Sequence, residues 1–231
     1  MISVCIATYN GERYLREQLD SILPQLSESD EVIVSDDGST DTTLDIIKAY
    51  TSTDKRIKLF HNTQKGFVHN FENALRNSKG DYIFLCDQDD VWMPNKVKVC
   101  TEALGKHIAV NHNSILIDSE GKSLDIDFFS QSHSAGGYWK TLWRNSYSGC
   151  CMAFRRELLK HAMPFPPQIA SHDIWLGLIA EKHSNPVFLP EPLLYYRRHG
   201  HNASSTAEKS GLTFMQQLSY RLYMFVYSLI R

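Results

Sequence analysis

Tyr82-Ile83-Phe84-Leu85-Cys86-Asp87-Gln88-Asp89-Asp90 runs five apolar residues straight into a tetrad carrying three carboxylates. The apolar run reads as a buried strand, so the carboxylates gather at a strand's carboxyl end. There they repel one another and resist desolvation unless a cation neutralises them. Hard oxygen ligands grouped this closely suit Mg2+ or Mn2+, which commonly bridge protein carboxylates to phosphates. An acidic turn or helix N-terminus is the competing account, because carboxylates also sit well against the helix dipole.

Upstream of the tetrad, strands and helices alternate. Ile2 to Ala7 is a short apolar strand followed by the polar Thr8-Tyr9-Asn10. Glu12 to Leu23 predicts a helix, with Tyr14, Leu15, Leu19 and Ile22 on one face and Pro24 as its stop. Glu31 to Ser35 is the next strand and ends at Asp36-Asp37-Gly38-Ser39-Thr40-Asp41. A helix over about Thr42 to Tyr50 follows, with Asp41 as its cap, then a strand at Ile57 to His61 and a helix at Phe67 to Arg76. This alternation predicts an α/β fold with a mostly parallel sheet covered by helices on both faces. In such sheets ligands bind outside the carboxyl ends of the strands. Thr8-Tyr9-Asn10, Asp36-Asp37 and Asp87 to Asp90 each follow a strand, so parallel strands bring them to one edge.

With 231 residues, 42% of them hydrophobic, and a formal net charge of -2, the chain supports one sizeable core and offers no electrostatic case for nucleic acid. Five cysteines without a C-x-x-C pair predict buried reduced thiols, not a disulfide framework or a zinc site. No signal peptide is visible, and no segment reaches the roughly 20 apolar residues of a spanning helix. A cytoplasmic protein is expected, soluble or peripheral at a membrane.

The second half is less regular. His107 to Asp118 is strand-like, and Asp127 to Gly137 reads as a mobile loop. Tyr138 to Arg144 predicts a short helix, Ser148 to Phe154 a strand, and Arg155 to about Ala162 a helix. Asp173 to His183 is a further helix, followed by short strands at Pro186 to Leu189 and Leu193 to Arg197. Leu212 to Ile230 is helix-like and rich in aromatics. It could pack on the core, form a homodimer or lie on a membrane surface.

Phosphate binding must rely on metal and side chains, since no glycine-rich phosphate loop is present. Asp36-Asp37 fits either turn capping or hydrogen bonding to a nucleobase or ribose. Asp173 is explained by the start of its helix, or else it is a general base for a hydroxyl nucleophile. Tyr195-Tyr196-Arg197-Arg198-His199-Gly200-His201-Asn202 is a basic surface loop or a set of groups facing a diphosphate.

Taken in order, these segments resemble family 2 inverting glycosyltransferases of the GT-A type, especially rhamnosyltransferase-like members. The resemblance is carried by Val4 to Asn10, Val32 to Asp41, Gly66 with Asn70, Asp87 to Trp92 with Pro94 and Lys96, and Ser148-Gly149-Cys150 with Phe154 to Leu158. His172-Asp173 with Trp175, and Tyr196-Arg197 with His199 and Asn202, complete it, so that it covers about residues 2 to 202. It implies a Rossmann-like GT-A domain over 1–206, with a nucleotide-sugar half at 1–104, an acceptor half at 105–206 and a C-terminal helical segment at 207–231. It further implies donor binding by Thr8, Tyr9, Asn10, Asp36, Asn70 and Asp87, with Asp36 on the base. Asp87, Asp89 and His199 are implied as metal ligands for Mg2+ or Mn2+, Asp173 as catalytic base, and Trp92, Gly149 and Trp175 as acceptor contacts.

The implied donor is a dTDP- or UDP-linked sugar, and the implied acceptor a saccharide or lipid-linked oligosaccharide. A lipid-linked acceptor places the enzyme at the inner face of the cytoplasmic membrane. One departure is that His172 stands where many members carry an acid before the base. The chain ends soon after the family core, which predicts no longer acceptor or membrane module. A sugar-1-phosphate nucleotidyltransferase and an inactive carbohydrate-binding homologue are the alternatives.

Overall fold

Period-two alternation in the first strands decides which helix covers which face. The computed structural model describes residues 1–199 and 213–231. Its strands are β1 (Ile2–Thr8), β2 (Glu31–Asp36), β3 (Ile57–His61), β4 (Tyr82–Asp87), β5 (Val91–Trp92), β6 (Ala109–Ile117), β7 (Ser123–Asp127), β8 (Met152–Arg155) and β9 (Val187–Arg197). Its helices are α1 (Leu15–Ile22), α2 (Thr43–Thr53), α3 (Phe67–Asn77), α4 (Lys96–Leu104), α5 (Phe128–Ser132), α6 (Tyr138–Trp143), α7 (Leu159–Ala162), α8 (His172–His183) and α9 (Phe214–Leu229). Gly200, His201 and Asn202 of the basic cluster, Leu212, and the boundary expected at 206 lie outside the described residues.

The strands form a mixed sheet in the order β3-β2-β1-β4-β8-β6-β9-β5, with β7 on β6. The first four strands in that order are parallel, β8 runs antiparallel between β4 and β6, and β9 is parallel to β6. Val4, Ile6, Val32, Val34, Phe84 and Cys86 bury against Leu15, Leu19 and Ile22 of α1 and Ile46 and Ile47 of α2. The alternate residues Cys5, Ile33, Ile83 and Leu85 bury on the other face with Phe71 and Leu75 of α3 and Trp175, Leu178 and Ile179 of α8. Each such side chain contributes about 1.5–3 kcal/mol of burial. All five cysteines are buried and free.

The strand expected over Ser148 to Phe154 is a 3-10 turn at Gly149–Cys151 followed by β8 from Met152, and three further elements differ from the sequence reading for local reasons. The mobile loop expected over Asp127 to Gly137 contains α5, because the Asp127 carboxylate accepts from Ser130 N at 2.9 Å and from Asn113 Nδ2 at 2.8 Å. The two short strands expected from Pro186 onward are one strand, β9. Its pairing with β6 shifts register between His112 and Asn113, where Asn113 Nδ2 reaches Pro190 O at 3.3 Å. A proline cannot donate to the ladder, and this shift absorbs the break. Finally, α1 starts at Leu15, not Glu12. The Glu12 carboxylate instead accepts from Thr42 N at 2.9 Å, pinning the start of α2.

Among the described residues no helix is long and apolar enough to cross a membrane.

Candidate active site

Register alone brings the three polar clusters together. Thr8 pairs with Asp36 and Ala7 with Asp87, so β1, β2 and β4 end side by side. The β1 end is braced twice, by Asp37 N at 2.9 Å and Asn70 Nδ2 at 3.0 Å, both donating to Thr8 O. Asn70 is buried beneath this edge, and its Oδ1 has no protein partner.

Asp36 does not face solvent. Its Oδ2 accepts from Gly38 N and Ser39 N, both at 2.9 Å. Its Oδ1 accepts from Ser39 Oγ at 2.5 Å and Thr8 Oγ1 at 3.1 Å. Gly38 has φ 85°, a conformation that favours glycine and lets the turn fold back on the carboxylate. Capping thus accounts for all four contacts, and the direct hold on a base expected of Asp36 has no free oxygen to make it. Asn10, also left-handed at φ 48°, donates its N–H to Ser39 Oγ and accepts from Thr40 N at 2.8 Å. Tyr9 is exposed on the same loop.

The tetrad divides its labour. Gln88 bridges to the first loop, with Oε1 accepting from Tyr9 N at 2.8 Å and Nε2 donating to Tyr9 O at 2.9 Å. Asp89 pairs with His199 Nε2 at 2.7 Å. Asp90 is buried, accepts from Arg197 N at 2.9 Å through Oδ1, and leaves Oδ2 without a partner. Ligand atoms of Asp87, Asp90 and Cys150 all lie within 4.8 Å of one another. Burial, and then the charges of Asp89 and Asp173, push the Asp87 carboxyl up to about 8. Burial, and then the charges of Asp89 and Asp87, hold Asp90 well above the usual carboxylate range. A hydrogen bond with Cys151, burial and the Asp90 charge raise Cys150, which stays a thiol.

Two buried cations stand behind the acids. Lys96 Nζ donates to Cys150 O at 2.7 Å and lies 4.2 Å from the Trp92 ring centroid. Arg197 is buried, donates to Asp89 O at 2.8 Å and pairs with Glu17 at 2.6 Å. Arg197 was expected in a basic surface loop or facing a diphosphate. It is instead the clamp that ties the end of β9 to the tetrad. Gln88 and Arg197 could not be assigned from sequence because the partner of Gln88 lies 79 residues away and those of Arg197 from 78 to 180 residues away.

Asp173, in the first turn of α8, acts electrostatically on Asp87. Its carboxylate is held by Ser171 Oγ, by Ile174 N at 2.7 Å and by Asn145 Nδ2 at 3.3 Å. His172 turns the other way. Its ring stacks on Phe71 with centroids 3.9 Å apart, and neither nitrogen has a protein partner. Gly149 makes room for it, since a Cβ there would fall 2.5 Å from His172 Nε2.

Burial lowers His172 from 6.5 to about 4, the Asp173 charge opposing this only in part. Between these values the unfolded chain binds a proton that the native state refuses, so stability falls as pH falls through that window. From pH 7 to pH 5 this costs about 2 kcal/mol. Urea unfolding at the two pH values should show wild type losing about 2 kcal/mol relative to H172L. The comparison separates His172 from Asp87 and Asp90, whose raised carboxyls add native stability as pH falls through the same window.

Trp175 and Trp92 do not behave as acceptor contacts. Trp175 is 0% exposed and donates its indole N–H to Ala162 O at 2.8 Å, and Trp92 packs on Phe84 inside the core. Gly149 is buried against His172. An open cleft of about 730 Å³ lies at the same edge, lined by Tyr9, Asn10, Gly11, Arg13, Tyr14, Gln88, Ser119 and His199. Tyr14 stacks on His199 at 5.1 Å, and Arg13 at the rim pairs with Glu120.

This sheet, with carboxylates at the ends of its parallel strands, has the architecture of the GT-A class. Staphylococcus aureus TarS (residues 1–349), solved with UDP-GlcNAc, aligns with a TM-score of 0.75 at 21% identity, over 97% of this chain and 66% of its own. The Pyrobaculum calidifontis mannosyltransferase PcManGT, solved with GDP-Man and Mn2+, aligns at 0.66 and 20% identity, over 100% of this chain and 64% of its own. Residues 3–162 match the Glycosyl transferase family 2 profile, and the chain belongs to that family. An uncharacterized glycosyltransferase of Nostoc sp. is 28% identical over 232 residues, covering 90% of this chain and 69% of its own. Family membership sets aside the nucleotidyltransferase alternative. The chain spans about two thirds of the length of these proteins.

Proposed function

We propose that this chain transfers a sugar from a nucleoside diphosphate sugar to a saccharide hydroxyl with inversion at the anomeric carbon. The observation that carries this reading is the meeting of the β1, β2 and β4 ends, which sets Thr8, Asp36 and Asp87 side by side, and the charge of Asp173 raising the Asp87 carboxyl supports it. The likeness to proteins solved with UDP-GlcNAc and GDP-Man supports the donor class. Thr8, Tyr9, Asn10 and Asn70 form the donor edge. Asp36 contributes by holding Thr8, Gly38 and Ser39 in place, and the nucleotide enters the cleft beside Tyr9 and Gln88.

The donor set fits a divalent cation. Asp87, Asp89 and Asp90 bring mutually repelling carboxylates together, one buried oxygen is unpartnered, and an imidazole stands beside Asp89. Asp87, Asp89 and His199 would hold Mg2+ or Mn2+. When bound, the ion offsets the negative charge that develops on the departing diphosphate.

Asp173 takes the proton of the acceptor hydroxyl as that oxygen attacks the anomeric carbon and the bond to the diphosphate breaks. Ser171 and Asn145 orient the carboxylate, so the proton is received at a fixed position. Rhamnose on dTDP is the donor sugar of this reading, with UDP-hexoses as the next candidates. The acceptor is a growing, lipid-linked bacterial surface polysaccharide at the inner face of the cytoplasmic membrane.

Calorimetry with dTDP-, UDP- and GDP-sugars, with and without Mn2+, tests the donor half of the reading. Binding of at least one donor should strengthen about tenfold with Mn2+, and D89N should lose that gain. Metal-independent binding of every donor would sink the metal assignment.

A further inference from the structure

The solvent side of α9 is more apolar than the side it packs on the protein. Its inward face carries Tyr220, Tyr223, Met224, Tyr227 and Ser228, while Met215, Leu218, Leu222, Val226 and Leu229 point outward. Met215 is 70% and Leu222 60% exposed. At 1.5 Å per residue this stripe runs for about 21 Å along the helix. Two more large rings extend it sideways, Trp139 at 69% and Trp143 at 59% exposure, both on α6 or at its end. Trp139 stacks on Phe225 at 5.7 Å, and the Arg221 guanidinium lies 4.7 Å from the Trp143 centroid. A continuous apolar strip of this size marks an interaction surface.

Charge selects the partner. Residues 138–147 and 213–231 contain Lys140, Arg144, Arg221 and Arg231 and no Asp or Glu, in a chain whose formal net charge is -2. Lys182 closes the far end of α9 by donating to Ser228 O at 2.5 Å. Glu181 is turned inward, accepting from Gly137 N at 2.8 Å and Tyr147 Oη at 2.9 Å. A second copy packed helix to helix would set this one-signed rim against itself, whereas helix seams use charges of both signs. An apolar strip with rim tryptophans, on two segments whose charged residues are all basic, matches an anionic bilayer surface.

The same helix buttresses the loop that leads to Asp173. Tyr220 Oη accepts from Ala170 N and Tyr223 Oη from Gln168 N, each at 3.2 Å, and Ser171 then bonds the Asp173 carboxylate.

We propose that α9 and α6 form a platform that lies flat on an anionic lipid surface and holds the loop leading to Asp173 near an acceptor anchored in that surface. The acceptor clause rests on the transferase reading; the lipid contact does not. The test is co-sedimentation of the full 231-residue chain with vesicles of phosphatidylcholine alone or mixed with phosphatidylglycerol. The expected result is at least about tenfold stronger partitioning onto the anionic vesicles, weakening as salt rises. L222E and W143A, both at exposed positions, should cut the bound fraction about tenfold with unchanged circular dichroism and melting.

Failure of the wild-type chain to partition onto anionic vesicles overturns the proposal. So does a concentration-dependent dimer that L222E abolishes without any change in vesicle binding. Titration of the same samples with UDP and Mn2+ reports the donor site separately. Loss of nucleotide binding alone would count against the transferase reading and leave the platform standing.

Discussion

D173N should lower kcat by about 10²- to 10⁴-fold, the range a positioned general base supplies. Donor affinity should stay within about twofold, because the amide keeps the side chain's size and its oxygen can still accept from Ser171 Oγ and Ile174 N. The geometry predicts a second, smaller effect in the same assay. S171A removes the hydroxyl that fixes Asp173 Oδ1 and leaves Ile174 N and Asn145 Nδ2 as orienting groups. A fall of about tenfold in kcat is expected, with the base still present but less constrained. Steady-state rates and donor calorimetry on both variants check this. Full activity in D173N would mean that another group takes the proton.

W175A should destabilise the fold by about 3–5 kcal/mol, the cost of emptying a fully buried aromatic site. For a chain of this size that lowers Tm by about 2–4 °C per kcal/mol. W175F separates packing from acceptor contact. It keeps the larger part of the ring volume but loses the five-membered ring and with it the indole N–H given to Ala162 O, which together cost about 2 kcal/mol. An acceptor contact would instead raise the acceptor KM in W175F with little change in Tm. Thermal melts and acceptor titrations on the two variants decide between these outcomes.

The parallel half of the sheet was legible because each of its strands is a short apolar run closed by polar residues. Strand-end position also predicted the meeting of Thr8, Asp36 and Asp87, which the β1–β2 and β1–β4 registers place side by side. Orientation of side chains at that edge was not legible. Whether Asp36 faces a ligand or its own turn depends on Ser39 and Thr8 hydroxyls folding back onto it. Nothing in the residue pattern distinguishes the two.

Long-range partners were hidden for a different reason. Arg197 reaches Glu17 across 180 positions and Asp90 across 107, and only the completed sheet creates those contacts. Trp175 sits in a helix with apolar residues nearly all round, so its neighbours in sequence say it is buried but its motif company suggested a surface. The amphipathic pattern of α9 was readable, yet the face turned outward could be known only once the tyrosines were seen against α8 and the loop before Asp173.

Transfer by a single displacement, with Asp173 as base, requires inversion of the anomeric centre. NMR assignment of the product linkage, using a donor of defined anomeric configuration, measures this directly. An α-linked donor should give a β-linked product, and the reverse for a β-linked donor. A product that retains the donor's configuration would contradict the account.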